Sequence, residues 1–177
     1  ETLEQKGYTY TTSDGVYFDV TKYQQYGQLG NIKLDEQQAG ARVAVNQEKR
    51  HPADFALWKN GELGWPSKWG TGFPGWHLEC SAMAMATLGK QIDIHTGGMD
   101  HIAIHHNAEI AQCECATGKQ FARYWLHNNF LTVHNDKLSK SAGNSLVLHE
   151  LVEHGYSADD FRYFLLQSHY RTQADFS

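Results

Sequence analysis

Apolar and polar positions along this chain fall into a short-period half and a longer-period half. Glu1–Lys6 is charged and has the pattern of the last turns of a helix, and Gly7 stands where a C-cap glycine belongs. Tyr8–Tyr10 and Val16–Val20 flank Ser13-Asp14-Gly15, and an Asp-Gly pair between apolar runs predicts a hairpin. Residues 21–50 are polar apart from Ala39–Val45, the pattern of an elaborated insertion rather than a core. Phe55–Trp58 returns to the apolar character of a strand or buried loop. Asn60–Gly75, with five glycines and two prolines, predicts a loop.

From Trp76 onward the pattern tightens. Leu78, Ala82, Met85 and Ala86 are near helical spacing and predict a helix over Leu78–Leu88, ended by Gly89. Ile92-Asp93-Ile94 predicts a short strand running into the turn Thr96-Gly97-Gly98. A second helix is expected over His105–Thr117, stopped by Gly118, and a further strand over Phe130–Val133, followed by a loop from His134 to Asn144. Ser157 with Asp160 three residues on has the form of a capping box. It opens a last helix with Phe161, Phe164 and Leu165 on one face. Helix, strand, helix, strand in this order predicts an α/β class with a parallel sheet and crossover helices.

Composition narrows the picture in a few places. With 177 residues the chain is long enough for one domain with a core of its own, or one domain and a small appendage. No apolar run approaches the roughly 20 residues of a membrane helix, so no membrane partner is expected. A net charge of −5 argues against a free-standing nucleic-acid binder. The three cysteines, Cys80, Cys113 and Cys115, are odd in number and lack a disulfide spacing, which points to a reducing, cytoplasmic compartment. The chain opens without a methionine, and a fragment is the expectation.

Two constellations carry chemistry. Lys137-Leu138-Ser139-Lys140-Ser141, followed by Gly143-Asn144, sets two lysines beside serines in a loop that can wrap a polyphosphate and stabilise charge on a departing pyrophosphate. Alone, the same string reads as a polar surface loop. His105 and Glu109 lie four apart on the expected helix, which puts both side chains on one face. That is the spacing of a surface pair, or of two ligands to one metal ion. Cys80 brings the third member of a thiolate–imidazole–carboxylate set suited to zinc, unless it is only a small buried apolar residue. Cys113 and Cys115, two apart on a helix, face different ways and are expected to be packing or surface thiols.

Taken together and in this order, these strings resemble the cysteinyl-tRNA synthetases. The likeness takes in Ala39-Gly40-Ala41-Arg42-Val43, Asp54–Lys59, Gly75–Met83 and Asp93-Ile94-His95. It continues through His105-His106, Glu109–Gln112, Ala116–Lys119, Tyr124-Trp125 and the lysine–serine loop, covering essentially the whole chain. Leu138 stands where that loop usually has methionine, a volume-conserving change. Thr96 replaces a usual glycine, and Asn107 and Ala108 stand where the family more often has Glu and Asn; both are expected to point away from the ligand face.

The resemblance implies a fold: the C-terminal half of a Rossmann-like class I synthetase catalytic domain, with an inserted α+β segment and a C-terminal helical segment. Residues 1–74 would be the inserted connective segment. Residues 75–147 would be the second half of the catalytic domain, and 148–177 the start of a helical stem-contact region. It also implies a site. Cys80, His105 and Glu109 would be zinc ligands, the family's remaining ligand being an upstream cysteine. Trp76 would wall the amino-acid pocket, and His95 and Asp100 would line it. Gly97, Gly98 and Lys140 would contact ATP, used with magnesium, and Lys140 and Lys137 would serve catalysis. The implied activity is cysteine–tRNA ligase, with cysteine, ATP and tRNA(Cys) as partners. The amino-terminal half of the catalytic domain, with its nucleotide signature, would be needed as well. The 177 residues alone are therefore expected not to activate cysteine, and to leave Ile92–Ile94 and Phe130–Val133 as open sheet edges. A cysteine ligase of the mycothiol type shares these features but lacks a carboxylate matching Glu109. A non-catalytic zinc-binding remnant is the alternative from another class. A zinc hydrolase ranks last, for want of a His-Glu-x-x-His helix.

Overall fold

The computed structural model describes residues 1–34, 46–138 and 147–176. It shows a mixed α/β chain in two compact units. One comprises Glu1–His95 and Asp100–Trp125, the other Thr96–Met99 and Leu126–Ser177.

The first unit begins with a single helical turn, α1 (Thr2–Gln5), and the hairpin β1 (Thr9–Thr12) and β2 (Gly15–Phe18). Thr12 pairs with Gly15 across the Ser13-Asp14 turn, as the Asp-Gly signal predicts. Strand β2 pairs in turn with β3 (Phe55–Trp65), which pairs with β4 (Gly72–Pro74), giving a four-stranded antiparallel sheet in sequence order. Here the expectation of a loop over Asn60–Gly75 is corrected. The glycines that look like breakers permit close strand approach: a Cβ at Gly64 would lie 2.1 Å from the Gly72 carbonyl oxygen. Sequence composition records the glycine but not the neighbour that requires it.

Helix α2 (Trp76–Leu88) starts two residues earlier than its apolar spacing suggests, because Gly75 both caps it and seats it on the sheet. The Gly75 N–H donates to the Leu57 carbonyl at 2.9 Å, and a Cβ there would meet the Ala56 oxygen at 1.9 Å. Strand β5 (Ile92–Gly98) pairs with β6 (Ala122–Asn128). Their first residues lie side by side, with the Ile92 N–H donating to the Phe121 carbonyl at 2.8 Å. The two strands therefore run in one direction, and α3 (His105–Thr117) is the crossover between them. Gly118 closes α3 in the left-handed conformation at φ 71°, and Lys6 Nζ reaches the terminal Cys115 and Ala116 carbonyls at 3.1 and 2.8 Å.

Among the described residues two buried apolar clusters stand out, and α3 contributes to both. Ala108, Ala111 and Cys115 pack with Leu3, Phe18, Val20, Tyr26, Phe55 and Leu57, while Cys113 packs with Ile92, Phe121 and Ala122. The two cysteines thus face different ways as packing thiols. Burial pushes the Cys113 thiol up to about 12 and that of Cys115 up to about 11, so both stay protonated.

The second unit holds the hairpin β7 (Leu131–Val133) and β8 (Asp136–Lys137), with β9 (Ala174–Phe176) added parallel to β7. The loop expected from His134 therefore opens as a hairpin turn, with His134 at φ 49° and Asn135 at φ 65°. Because β7 lies between β8 and β9, Leu131–Val133 is paired on both sides and is no open edge. Helices α4 (Leu148–Glu153) and α5 (Ala158–Leu166) follow, and Ser157 and Asp160 form the capping box. Phe161 and Phe164 lie 6.3 and 5.4 Å from Phe176 between ring centroids, whereas Leu165 is exposed.

Asp54, 1% exposed, ties the first hairpin to the start of β3. It accepts from the Tyr10 hydroxyl at 2.7 Å and from the Val20 and His51 N–H groups, both at 2.9 Å. Asp54→Ala strands two buried donors and a half-buried one and is expected to cost about 3 kcal/mol, and Tyr10→Phe about 1 kcal/mol. Urea denaturation decides; equal losses for the two variants would show that Asp54 does not organise this network.

Candidate functional site

The residues singled out for metal chemistry, Cys80, His105 and Glu109, sit on two helices of the first unit, with further rings around them. Helix α3 carries His105, His106 and Glu109, α2 carries Trp76, His77 and Cys80, and β5 carries His95. Their approach follows from how α3 is held. Almost every residue from His105 to Cys115 is buried, though the helix is largely polar. Such a helix is stable only where each polar group meets a partner. Asn107 meets its own in the backbone of neighbouring segments: its amide bonds the Leu29 N–H and carbonyl at 3.2 and 3.0 Å and the Ile102 carbonyl at 2.7 Å. Ala108 is in the apolar core. The two departures from the family pattern are thus turned away from the ligand face, as expected.

Glu109 is the centre of the cluster and is 1% exposed. Its Oε1 lies 2.7 Å from His105 Nε2, and its Oε2 lies 2.9 Å from His95 Nε2. Neither approach has the alignment of a hydrogen bond, so both oxygens are buried polar atoms without a directed donor among the described residues. Burial pushes this carboxyl up, but the two imidazoles outweigh it and hold it down at about 2, so the group is an anion at neutral pH. One ligand atom each from Cys80, His105 and Glu109 lies within 4.8 Å of the other two. Burial raises the Cys80 thiol above its usual value, and the charges of Glu109 and Glu79 act in the same direction. A cation among these three atoms would reverse that balance, because the thiolate is the ligand form. Orphaned carboxylate oxygens beside a thiol and an imidazole suit a zinc ion in donor type and number.

Around the cluster lies a nest of rings. Trp76 sits 4.5 Å from His105 between centroids and 6.0 Å from His101 and His77, and is 57% exposed. His77 has a part that no spacing argument assigned. Its Nδ1 is 2.8 Å from His105 Nδ1, on the opposite edge of the ring from Glu109. Burial, reinforced by His105, pushes the His77 imidazole down to about 4, so it is neutral and can accept the His105 Nδ1 proton. That contact holds the His105 ring from the edge away from Glu109, with Nε2 facing the carboxylate. The sequence held only a partial signal, His77 and Cys80 being three apart on α2 and so on one face; the partner itself, 28 residues away, is set by how the helices pack.

The remaining candidates divide as follows. Asp100 lies on the short 3-10 turn Met99–His101 and is exposed. Gly97 and Gly98 end β5. Lys137 pairs with Thr132 on β8. Lys140, with Ser139 and the rest of the lysine–serine loop through Asn144, lies outside the described residues, as does the Ala39–Val43 string.

A cysteine–tRNA ligase of Treponema denticola is 50% identical over 99% of this chain, and one of Brevibacillus brevis is 52% identical over 99%. The similarity crosses domains of life: a cysteine–tRNA ligase of Pyrococcus horikoshii is 49% identical over 100% of the chain. The chain spans 37–38% of the length of these curated relatives. All of residues 1–177 match the family model described as the tRNA synthetases class I (C) catalytic domain. With that match over its full length and a thiol–imidazole–carboxylate cluster at its centre, this chain belongs to the class I (C) tRNA synthetase catalytic domain family.

Proposed function

We propose that the chain is part of a cysteine–tRNA ligase, which activates cysteine with ATP to cysteinyl-adenylate and transfers it to tRNA(Cys). The observation that supports this most directly is the meeting of Cys80, His105 and Glu109 around a buried anionic carboxylate whose oxygens lack directed donors. Cys80, His105 and Glu109 would hold zinc, with an upstream cysteine as the further ligand. When bound, that ion supplies a seat for the substrate thiolate, a softer and more acidic ligand than the hydroxyl of serine.

The protein's own residues prepare this seat. His77 holds the ring of His105 in place. Trp76 and His95 exclude water from the side chain of the amino acid, and Asp100 lines the same pocket. Gly97 and Gly98 let a nucleotide approach the backbone at the end of β5. Lys140, with Lys137, meets the ATP phosphates, bound with magnesium, and stabilises the charge that builds on departing pyrophosphate. In this reading residues 1–74 are an inserted connective segment. Residues 75–147 form the second half of the Rossmann-like domain, and 148–177 begin the stem-contact region. The amino-terminal part of the catalytic domain completes the nucleotide site.

Three outcomes are expected in the full-length protein. Cys80→Ser loses bound zinc on metal analysis; an unchanged content refutes the ligand assignment. His77→Phe keeps the fold but weakens zinc affinity by about 10–100-fold, the usual cost of removing an outer-shell partner. A competitive chelator titration measures it, and wild-type affinity would leave His77 as packing alone. Lys140→Ala lowers cysteine-dependent pyrophosphate exchange by roughly 10²–10³-fold, the scale of losing one preorganised stabiliser of developing charge. Lys137→Ala loses less, and the reverse ranking would exchange the roles of the two lysines.

A further inference from the structure

Trp76 is the wall of the proposed amino-acid pocket, yet the core barely covers it. It is the first residue of α2 and is 57% exposed. An indole so exposed keeps one orientation only where its immediate neighbours fix it. Those neighbours are rings. His77 stacks on it at 15° between planes, His105 lies at 4.5 Å and 49°, and His101 stands edge-on at 6.0 Å and 88°. We infer that His101 is a positioning residue for substrate selection: its ring holds the Trp76 indole beside His105 and so limits the length of amino-acid side chain that the pocket admits.

Several observations carry this. His101 is half-buried and ends the short turn Met99–His101 that leads into α3. Its contacts are with rings on more than one side. The His105 ring lies 4.9 Å away at 38°, so Trp76, His105 and His101 close a triangle of rings. His106, itself 2% exposed, backs His101 at 5.2 Å and 73°. His101 is thus braced by a buried ring and bears on an exposed one. A stacked neighbour and an edge-on neighbour also restrain different rotations of an indole. His77 resists tilting of the Trp76 plane, and His101 resists its swing within that plane. All these residues belong to the first unit.

The inference rests on the proposed function and adds to it what decides side-chain length. In that reading the thiolate of the substrate is held at the Cys80, His105 and Glu109 seat, and its carboxyl end is committed to ATP. A homologue with one more methylene, tied at both ends, must bow toward the wall. An indole that cannot swing rejects the bow, and one that is free to swing admits it. One methylene in a pocket is worth roughly 10–200-fold in kcat/KM, and a wall that yields forfeits part of that ratio.

The rival role for His101 is a direct polar contact with the substrate, and two variants separate the roles. His101→Phe keeps a ring without its nitrogens, whereas His101→Gln keeps polar atoms without a ring. The full-length protein is assayed by pyrophosphate exchange with cysteine and with homocysteine. His101→Ala should lower the cysteine-to-homocysteine ratio of kcat/KM by about 10-fold, and His101→Phe should restore it. A loss of fold alone would weaken both substrates alike and leave the ratio where it was. Fluorine NMR of protein labelled with fluorotryptophan gives a readout apart from activity, the Trp76 resonance being assigned by its absence in Trp76→Phe. That resonance should move toward the position of a free, solvated indole in His101→Ala and return in His101→Phe. If His101→Ala fails to fold by circular dichroism, His101→Leu takes its place with the same expectations. An unchanged ratio or an unmoved resonance in the folded variant overturns the inference, as does rescue by His101→Gln in place of His101→Phe. No exchange with cysteine in the wild type refutes the proposed function instead, and the resonance then still decides whether His101 holds Trp76.

Discussion

The burial of the Glu109 carboxylate is the constraint on which the rest of the site depends. An ionised carboxylate out of water costs several kcal/mol unless other groups compensate it. Here it is 1% exposed and still anionic. Compensation comes from rings rather than from backbone donors: His105 on one oxygen, His95 on the other. Because these contacts are close but not aligned as hydrogen bonds, the arrangement is better matched to a cation among the donors than to a closed ion-pair network. His77 reads naturally within the same constraint. A neutral imidazole behind His105 holds its ring in place without adding a charge that the buried site would have to solvate.

Holding that carboxylate in place is the work of the scaffold. Helix α3 is locked against rotation on two sides, by Ala108, Ala111 and Cys115 in one core cluster and by Cys113 in the other. Asn107 fixes a third direction through the Leu29 and Ile102 backbone. Helix α2 is brought up to it by Gly75, where the backbone comes so near the Ala56 carbonyl that no side chain fits. The residue that seems least chemical thus decides where Trp76, His77 and Cys80 stand. Buried Asp54 stabilises the sheet beneath through three hydrogen bonds, and β3 carries the seat of Gly75. Precision at a metal seat depends on such supports, since ligands displaced by a fraction of an ångström no longer converge.

By itself the sequence determined the features set by local chemistry. The span His105–Thr117 for α3, its Gly118 stop, the Asp-Gly hairpin and the Ser157–Asp160 box all depend on a few neighbouring residues, and all stand in the structure. So does the pairing of His105 with Glu109, because helical spacing alone puts them on one face. Cys80 was legible as a candidate third member through the family pattern around it, and the structure brings its thiol within 4.8 Å of the His105 and Glu109 donor atoms. What the tertiary structure decided is everything that depends on a distant neighbour. Asn60–Gly75 reads as loop because glycine and proline break strands in isolation, yet β3 continues to Trp65 and β4 returns along it, close packing there requiring glycine. Strand β9 reaches back to pair with β7, forty-odd residues earlier, a contact no local pattern announces. His77 and His101 acquire meaning only once α2 is packed against α3, since a ring's partner across the fold is set by how the helices dock and not by its own neighbours in the chain.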